Sequence, residues 1–456
     1  MKWWKSKAWT RSRWVILGVL LTLISYGLLQ LIEPVSIAPI VAQSTPQFAG
    51  RALLVASDAD MVATAYADAK LDRVTGIEDA LTAVQLPLNS AKPSIASIPV
   101  SNSVMSWPQI IAVSPNGQRA YIAEVRSRPA DGIQEFETID QMPEGSKVTV
   151  VDISNPAQLK VIESVEVGRN PEHLSISPDG RYLAVNLEEP GRELLIVQLQ
   201  ADGRLGMRSY FSMQSTSRQD NRAVTWHPSG QYLAMTQDSD RRVGFYRVQI
   251  NGDEIAATLI GEPLMVGNHL SNARFSADGR FLLVPDLKWR TFGIRALNFL
   301  MNPKGEMIAI RFEPESGKAP EIVSRTKVGL SPEGFALSPD NSLIATVNMR
   351  RTYLPPFPPA WRGKSYSSLS LVKFDRASGK LTTVGEYGFE GLLPEQVTFD
   401  ATGKALAVVI YNYREPSPKT GAIEVWNVIS SDRPRLERTN DKVEVVRGAH
   451  DIVLVP

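Results

Sequence analysis

Along most of this chain apolar residues alternate with polar ones or gather in short β-branched runs, and each run ends at a reversal of direction. Residues 165–185 read VEVGRNPEHLSISPDGRYLAV. That is a strand, a loop carrying Asn170 and Pro171, a second strand, a tight turn and a third strand. Lys147–Asp152, residues 194–198 and residues 422–427 show the same strand character. The turn Ser177-Pro178-Asp179-Gly180 suits a hairpin, because Pro presets φ near −65° and Gly accepts the positive φ that closes the reversal.

The same turn recurs at Ser114–Gly117, His227–Gly230, Ser276–Gly279, Ser338–Asn341 and Asp400–Gly403. A seventh copy is split between the two ends. Residues 443–456 lie over residues 165–178 position for position, and residues 50–55 match residues 180–185 without a preceding strand of their own. A C-terminal strand that completes the blade begun at the N-terminus closes a ring and removes exposed sheet edges. The expected fold is therefore all-β: a seven-bladed β-propeller whose first blade is completed by the C-terminal strand.

The marker turns stand 67, 63, 50, 49, 62 and 62 residues apart, so several blades carry insertions beyond the roughly 40 to 50 residues of common propeller repeats. Ahead of the body, residues 1–13 hold five basic residues and no acid, and residues 14–32 are nineteen residues without a charge. This is an export signal whose length lies between a cleaved signal, cut near Ala42, and a retained membrane anchor. Residues 1–43 form the signal peptide or N-terminal anchor, 44–49 a tether, and 50–456 the propeller. The body is placed outside the cytoplasm, in the periplasm or beyond, with residues 14–32 as the one membrane tie.

Without residues 1–43 the chain holds 44 basic and 47 acidic residues, a net of −3, which gives nucleic acid no basic surface. The absence of cysteine excludes c-type haem, thiol catalysis and iron–sulfur clusters. Stability must come from the large core that about 400 residues can bury. A ring that closes its own edges predicts a monomer.

The string Val148-Thr149-Val150-Val151-Asp152-Ile153-Ser154, then residues 165–171, then residues 177–186, resembles the YVTN-type repeat of exported bacterial propellers. That group is similar to the seven-bladed lactonase propellers. The likeness covers nearly all of residues 50–456 and implies a lactonase-like fold; the repeated residues build turns and strands and leave function open. The blades containing His227 and Ser276 lack the Val-Gly-x-x-Pro approach, which predicts distortion there.

Function is sought where the repeat is broken. Four loops joining second and third strands are enlarged: residues 57–79, 126–146, 349–367 and 411–421. Counting the closing blade as the first, they belong to the first, second, sixth and seventh blades, which the ring makes neighbours, so they should form one canopy over half of one face. Arg350, Arg351, Tyr353, Phe357, Trp361 and Arg362 mix cations, aromatics and prolines, and Tyr411, Tyr413 and Arg414 continue next door. Such a surface suits a protein, a glycan or a small anionic ligand; equally, a long loop needs aromatics to pin itself down. The acidic stretch 131–144 is expected to be a mobile surface loop.

The second place is the rim of the central channel. Eight positions before the last residue of each marker turn stand Gln109, Glu172, Arg222, Ser271, Glu333 and Glu395, with His450 in the closing strand; the next position holds Ile110, His173, Ala223, Asn272, Gly334, Gln396 and Asp451. Gathered at a channel mouth, Glu172, Glu333 or Glu395 could serve as general base, His173 or His450 could share the proton, and Arg222 could stabilise an oxyanion. The carboxylates could instead hold Ca²⁺ or Mg²⁺, or simply line a wet channel. His227 is expected at a surface turn and His269 near the mouth. Neither has the spaced partners of a zinc site, and no Gly-rich phosphate loop is present. Trp107, Trp226, Trp289 and Trp426 are expected in the core.

Two functions remain open at this level. One is a non-enzymatic envelope propeller that binds a partner through its loops; the other is a lactonase-like hydrolase built on the Glu/His cluster.

Overall fold

The structure, a computed structural model, describes residues 14–15, 17–22, 24–25, 35–41, 48–89, 91–213, 223–237, 241–291, 303–355, 366–413 and 418–456. Strands alternate with hairpins throughout, and they assemble into seven antiparallel sheets arranged as the blades of a propeller. Blade 1 runs Ala449–Val455, Ala52–Ser57, Ala80–Gln85, Ile95–Pro99 from the channel outwards. Blade 2 begins at Ile111–Val113, blade 3 at Pro171–Ile176, blade 4 at Val224–Trp226, blade 5 at Arg274–Phe275, blade 6 at Pro332–Leu337 and blade 7 at Val397–Phe399.

The ring closes as the repeat predicts. Ala449–Val455 pairs antiparallel with Ala52–Ser57, Ala52 opposite Val455 and Leu53 opposite Leu454, with one bulge between Ala56 and Ser57. The expected distortion is seen in blade 5, whose innermost strand has only two residues, against six in blades 3 and 6; that of blade 4 has three, as in blades 2 and 7. Blade 4 adds a short outer strand, Leu264–Met265.

The marker turns carry out the chemistry their composition requires. In blade 3 the Ser177 hydroxyl donates to Asp179 at 2.6 Å and accepts from the Tyr182 amide at 2.9 Å, while Gly180 stands at φ 72°. Asn341, the one marker without glycine, takes φ 57° and uses its side-chain oxygen to accept from Ala277 of the neighbouring turn at 2.8 Å. His227 is a turn residue, as expected, but its ring lies across to the next turn, where Nε2 meets the Gly279 carbonyl at 3.1 Å, and it joins the rings of Tyr232, Phe275 and Phe312.

Apolar side chains of the middle strands fill the spaces between facing sheets. Trp107, Trp226 and Trp426 are buried. Trp289 is partly buried, and its ring stacks on His269 with centroids 5.2 Å apart.

The N-terminal expectation meets a docked segment. Residues 35–41 run along the outer strands of blades 6 and 7, the Ala38 amide donating to Gly388 at 2.8 Å and the Val41 amide to Arg438 at 2.9 Å. Phe48, in the stretch expected as a tether, is buried among Leu53, Val84 and Ala405, and the Ala49 amide donates to Asp400 at 3.2 Å. The export signal falls mostly outside the described residues. No helix among those described is long and apolar enough to cross a membrane.

Candidate functional site

The four long loops do meet. Met61, Ala65 and Leu71 of blade 1, Met142 of blade 2, Met349, Tyr353 and Leu354 of blade 6 and Tyr411 of blade 7 form one buried apolar cluster. Blade 5 joins it through Leu287, so the canopy extends beyond the four inserted blades. Backbone bonds stitch the loops together: Leu71 donates to Gln134 at 2.8 Å and Phe136 to Ala69 at 3.1 Å. Arg447, wholly buried, meets Asp72 at 3.1 Å. The stretch 131–144 is more firmly held than its acidic composition predicts, because Ile133, Phe136, Ile139 and Met142 pack against the cluster.

The described members of the basic and aromatic set are engaged with the body. Tyr353 and Tyr411 are buried, and the Tyr411 hydroxyl donates to the Asp58 carbonyl at 3.2 Å. Arg351 is buried too. Arg350 lies 4.7 Å over the Tyr366 ring and 3.9 Å from Glu386. Tyr413 donates to Glu424 at 3.2 Å beneath Lys442. These five pin their loops. Phe357, Trp361, Arg362 and Arg414 lie outside the described residues, as does Arg222.

Beneath the canopy sits the channel rim, and its glutamates and histidines are sealed: Glu172, His173, Glu333, Glu395 and His450 are each at most 1% exposed. Gly334 lets blades 6 and 7 approach here, since a Cβ on it would stand 2.0 Å from the Glu395 carbonyl. Three of the five come together. His450 Nδ1 stands 3.8 Å from Glu395 Oε2, and Glu333 is close enough to raise the Glu395 pKa. Glu172 accepts from the Asn186 amide at 2.9 Å.

The proton positions in this group follow from its neighbours. Asn102 gives both amide hydrogens to carbonyls, of Ser57 at 3.1 Å and Val100 at 2.9 Å, so its oxygen faces His450 Nε2 at 2.8 Å. Nε2 therefore carries the hydrogen and Nδ1 is bare toward Glu395. Tyr66 donates to the Val104 carbonyl at 2.5 Å, so its 3.0 Å contact with Glu395 Oε1 needs the proton of a neutral carboxyl. Burial acts in the same direction on both groups. It pushes Glu395 well above the usual carboxyl range, helped by Glu333, and holds His450 down at about 3. A neutral acid thus faces a neutral imidazole.

The next rim position does structural work. His173 Nδ1 accepts from the Val224 amide at 3.3 Å and Asp451 from the Ile111 amide at 2.9 Å, each tying its blade to the innermost strand of the next. Gln396 caps its own strand at Val397, 3.0 Å away. His269 does lie near this end, wedged between Trp289 and Trp107. Among the described residues no three His, Asp or Glu side chains are grouped as metal ligands would be, so a Ca²⁺ or Mg²⁺ site has no donor set there.

Repeat counting missed Tyr66 and Asn102, which come from a loop and a blade connector outside the repeat. It also passed over a layer it could have found. Two positions before the marker turns stand Ala112, Ser175, Thr225, Arg274, Ala336 and Thr398, with Val453 in the closing strand. Arg274 is the one large charge in that ring.

No protein-family profile matches the chain, and no curated protein sequence matches it. Solved structures do. A putative 6-phosphogluconolactonase from Bacteroides fragilis is 15% identical, with TM-score 0.60 over 91% of this chain and all of that one. The periplasmic gluconolactonase PpgL of Pseudomonas aeruginosa is 20% identical, with TM-score 0.62 over 89% of this chain and 99% of that one. A putative 6-phosphogluconolactonase from Bacteroides uniformis is 15% identical, with TM-score 0.58 over 89% and 99%. The chain is a seven-bladed propeller with lactonase-like structural neighbours, and at these identities the likeness is one of fold.

Proposed function

We propose that this protein is an exported propeller of the cell envelope that binds its ligand through the canopy loops without turning it over. The observation that carries this is the sealing of the rim. Glu395 and His450 face each other under an apolar lid, with their remaining contacts taken by Tyr66 and Asn102. Hydrolysis would need the pair to reach a substrate and a donor to stabilise its oxyanion. A loop set pinned at its base is a rigid platform, and rigidity lowers the ordering cost of binding. The sequences of these loops also carry Phe357, Trp361, Arg362 and Arg414, residue types whose chemistry suits an anionic glycan or an acidic peptide.

A second reading is favoured by one contact, the 3.8 Å approach of a neutral imidazole to a carboxyl of raised pKa. With the lid open, His450 could take a proton from water and Glu395 could give one to the leaving oxygen of a cyclic ester. One structural neighbour is a gluconolactonase, which makes lactones the substrates to try.

One experiment separates the two. The full chain in detergent is offered δ-gluconolactone and its 6-phosphate, and separately an array of anionic glycans and acidic peptides. Retention on the array that is lost in Trp361→Ala and Arg362→Ala, with lactone loss at the uncatalysed rate, supports the binding role. Lactone turnover that disappears in Glu395→Gln replaces it with the hydrolase.

A further inference from the structure

The channel has a second end. On the marker-turn face, away from the canopy, lies an open cavity of about 510 Å³, within the size range of small-molecule sites. Its walls include Trp226, Phe275, Phe399 and Leu454, and Thr225, Arg274, Ala336 and Thr398 line it from the ring described above. Six blades place a small or β-branched residue in that ring, which keeps the channel open. Blade 5 alone sends a guanidinium into it.

Arg274 has no hydrogen bond or ion pair with any described residue, and its Nε is buried without a partner. The carboxylate it feels most is that of Asp451. Both Asp451 oxygens are already occupied, by the amides of Ile111 and Ile452, each at 2.9 Å. Asp400, also on the wall, is taken up by its own turn, accepting from Thr402 at 2.7 Å and Lys404 at 2.8 Å. Arg274 is half-buried and always charged, and of its three nitrogens only Nε is sealed from solvent, so its charged end stays available to a ligand in the cavity. Gln109, at φ 106°, adds a second unpartnered polar atom, Oε1, to the same wall.

We propose that this cavity is a binding site for a small organic anion, its carboxylate or phosphate head on Arg274 and its apolar body against Trp226, Phe275 and Phe399. The head would be held by paired N–H donors of the guanidinium fork, and the body by flat apolar walls. The site lies at the opposite end of the channel from the canopy, and its failure would leave the canopy proposal untouched.

The test uses the full chain in detergent, with hexanoate, benzoate and phenyl phosphate as probes and benzamide as the neutral control. Binding is read by calorimetry and by the rise in Tm on adding ligand. Wild type is expected to bind at least one anion with a Kd of about 1 mM or tighter and to ignore benzamide. Arg274→Ser, which copies the residue of blade 3, should weaken that binding at least tenfold. The same variant without ligand should keep or raise its Tm, since a merely structural arginine would lower it. Should Arg274→Ser fail to fold, Thr398→Phe fills the cavity from the facing wall and should abolish binding on its own. Preference between benzoate and phenyl phosphate tells which head the site was built for. Equal binding by wild type and Arg274→Ser, or no heat and no Tm change with any of the three anions at 20-fold that Kd, on the order of 20 mM, overturns the proposal.

Discussion

His450 Nδ1 faces Glu395 Oε2 across 3.8 Å in a space that solvent does not reach. Both groups are neutral there, and their neutrality has consequences for stability, because the unfolded chain would ionise each of them freely.

Above pH 6.5 the histidines are neutral in both states and drop out of the balance. Asp79, Glu333 and Glu395, raised well above their ordinary values by burial, still hold protons that the unfolded chain has released. The unfolded state then binds fewer protons, so stability falls as pH rises, by about 1.4 kcal/mol per pH unit for each such group until it ionises. Below pH 6.5 the unfolded histidines take up protons that His173 and His450, held at about 3, refuse, and this opposes the carboxyl effect. We expect Tm to decline between pH 6.5 and 9, and Glu395→Gln to flatten the decline, since an amide can donate to Tyr66 as the neutral acid does. A Tm that climbs over this range would show the carboxyls to be ionised in the fold.

Tyr66→Phe is a separate probe of the same seal. It leaves the Val104 carbonyl and Glu395 without their shared hydroxyl, at a cost of about 1–3 kcal/mol in denaturant unfolding, with little change in the blades' circular dichroism. A cost near zero would mean that water already replaces the tyrosine.

Removing residues 443–456 takes away the innermost strand of blade 1 together with the end of the outer strand of blade 7, and exposes Leu53 and Val55 along the opened edge. The expected loss is on the order of 5 kcal/mol or more, with aggregation through the freed strand. An unchanged unfolding midpoint would show that the ring does not depend on its shared blade.

Residues 35–41 bear on the processing of the N-terminus. A chain beginning at residue 44 loses the amide bonds from Ala38 to Gly388 and from Val41 to Arg438. Its outer strands in blades 6 and 7 should exchange amide hydrogen faster, and its stability should fall by about 1–3 kcal/mol. Identical exchange in the two forms would show that the segment does not hold to the body in solution.

Much of the fold was legible because its causes are local. A Ser-Pro-Asp-Gly turn needs only its own residues to reverse the chain, and six such turns with a split seventh imply a closed ring before any contact is known. Asn341 in place of glycine fits the same logic, since its short amide tolerates the left-handed backbone. The meeting of the four loops was also legible, because ring closure makes their blades neighbours. The holding of residues 131–144 was not, since Ile133 and Phe136 are scattered among acids and acquire meaning only against Leu71 and Ala69.

The candidate site divides in the same way. Counting back from each turn identified the rim positions and brought Glu333, Glu395 and His450 onto one list; it could not tell that Glu172 answers to Asn186, or that His173 and Asp451 serve the next blade's backbone. Sequence alone therefore determined the turns, the strands, the number of blades and the way the ends join, all of which follow from hydrogen bonding and backbone conformation within one repeat. Tertiary structure decided which side chains are charged, which are sealed and which stand alone in a cavity. Those properties depend on desolvation and on partners drawn from distant blades, and no single repeat contains them.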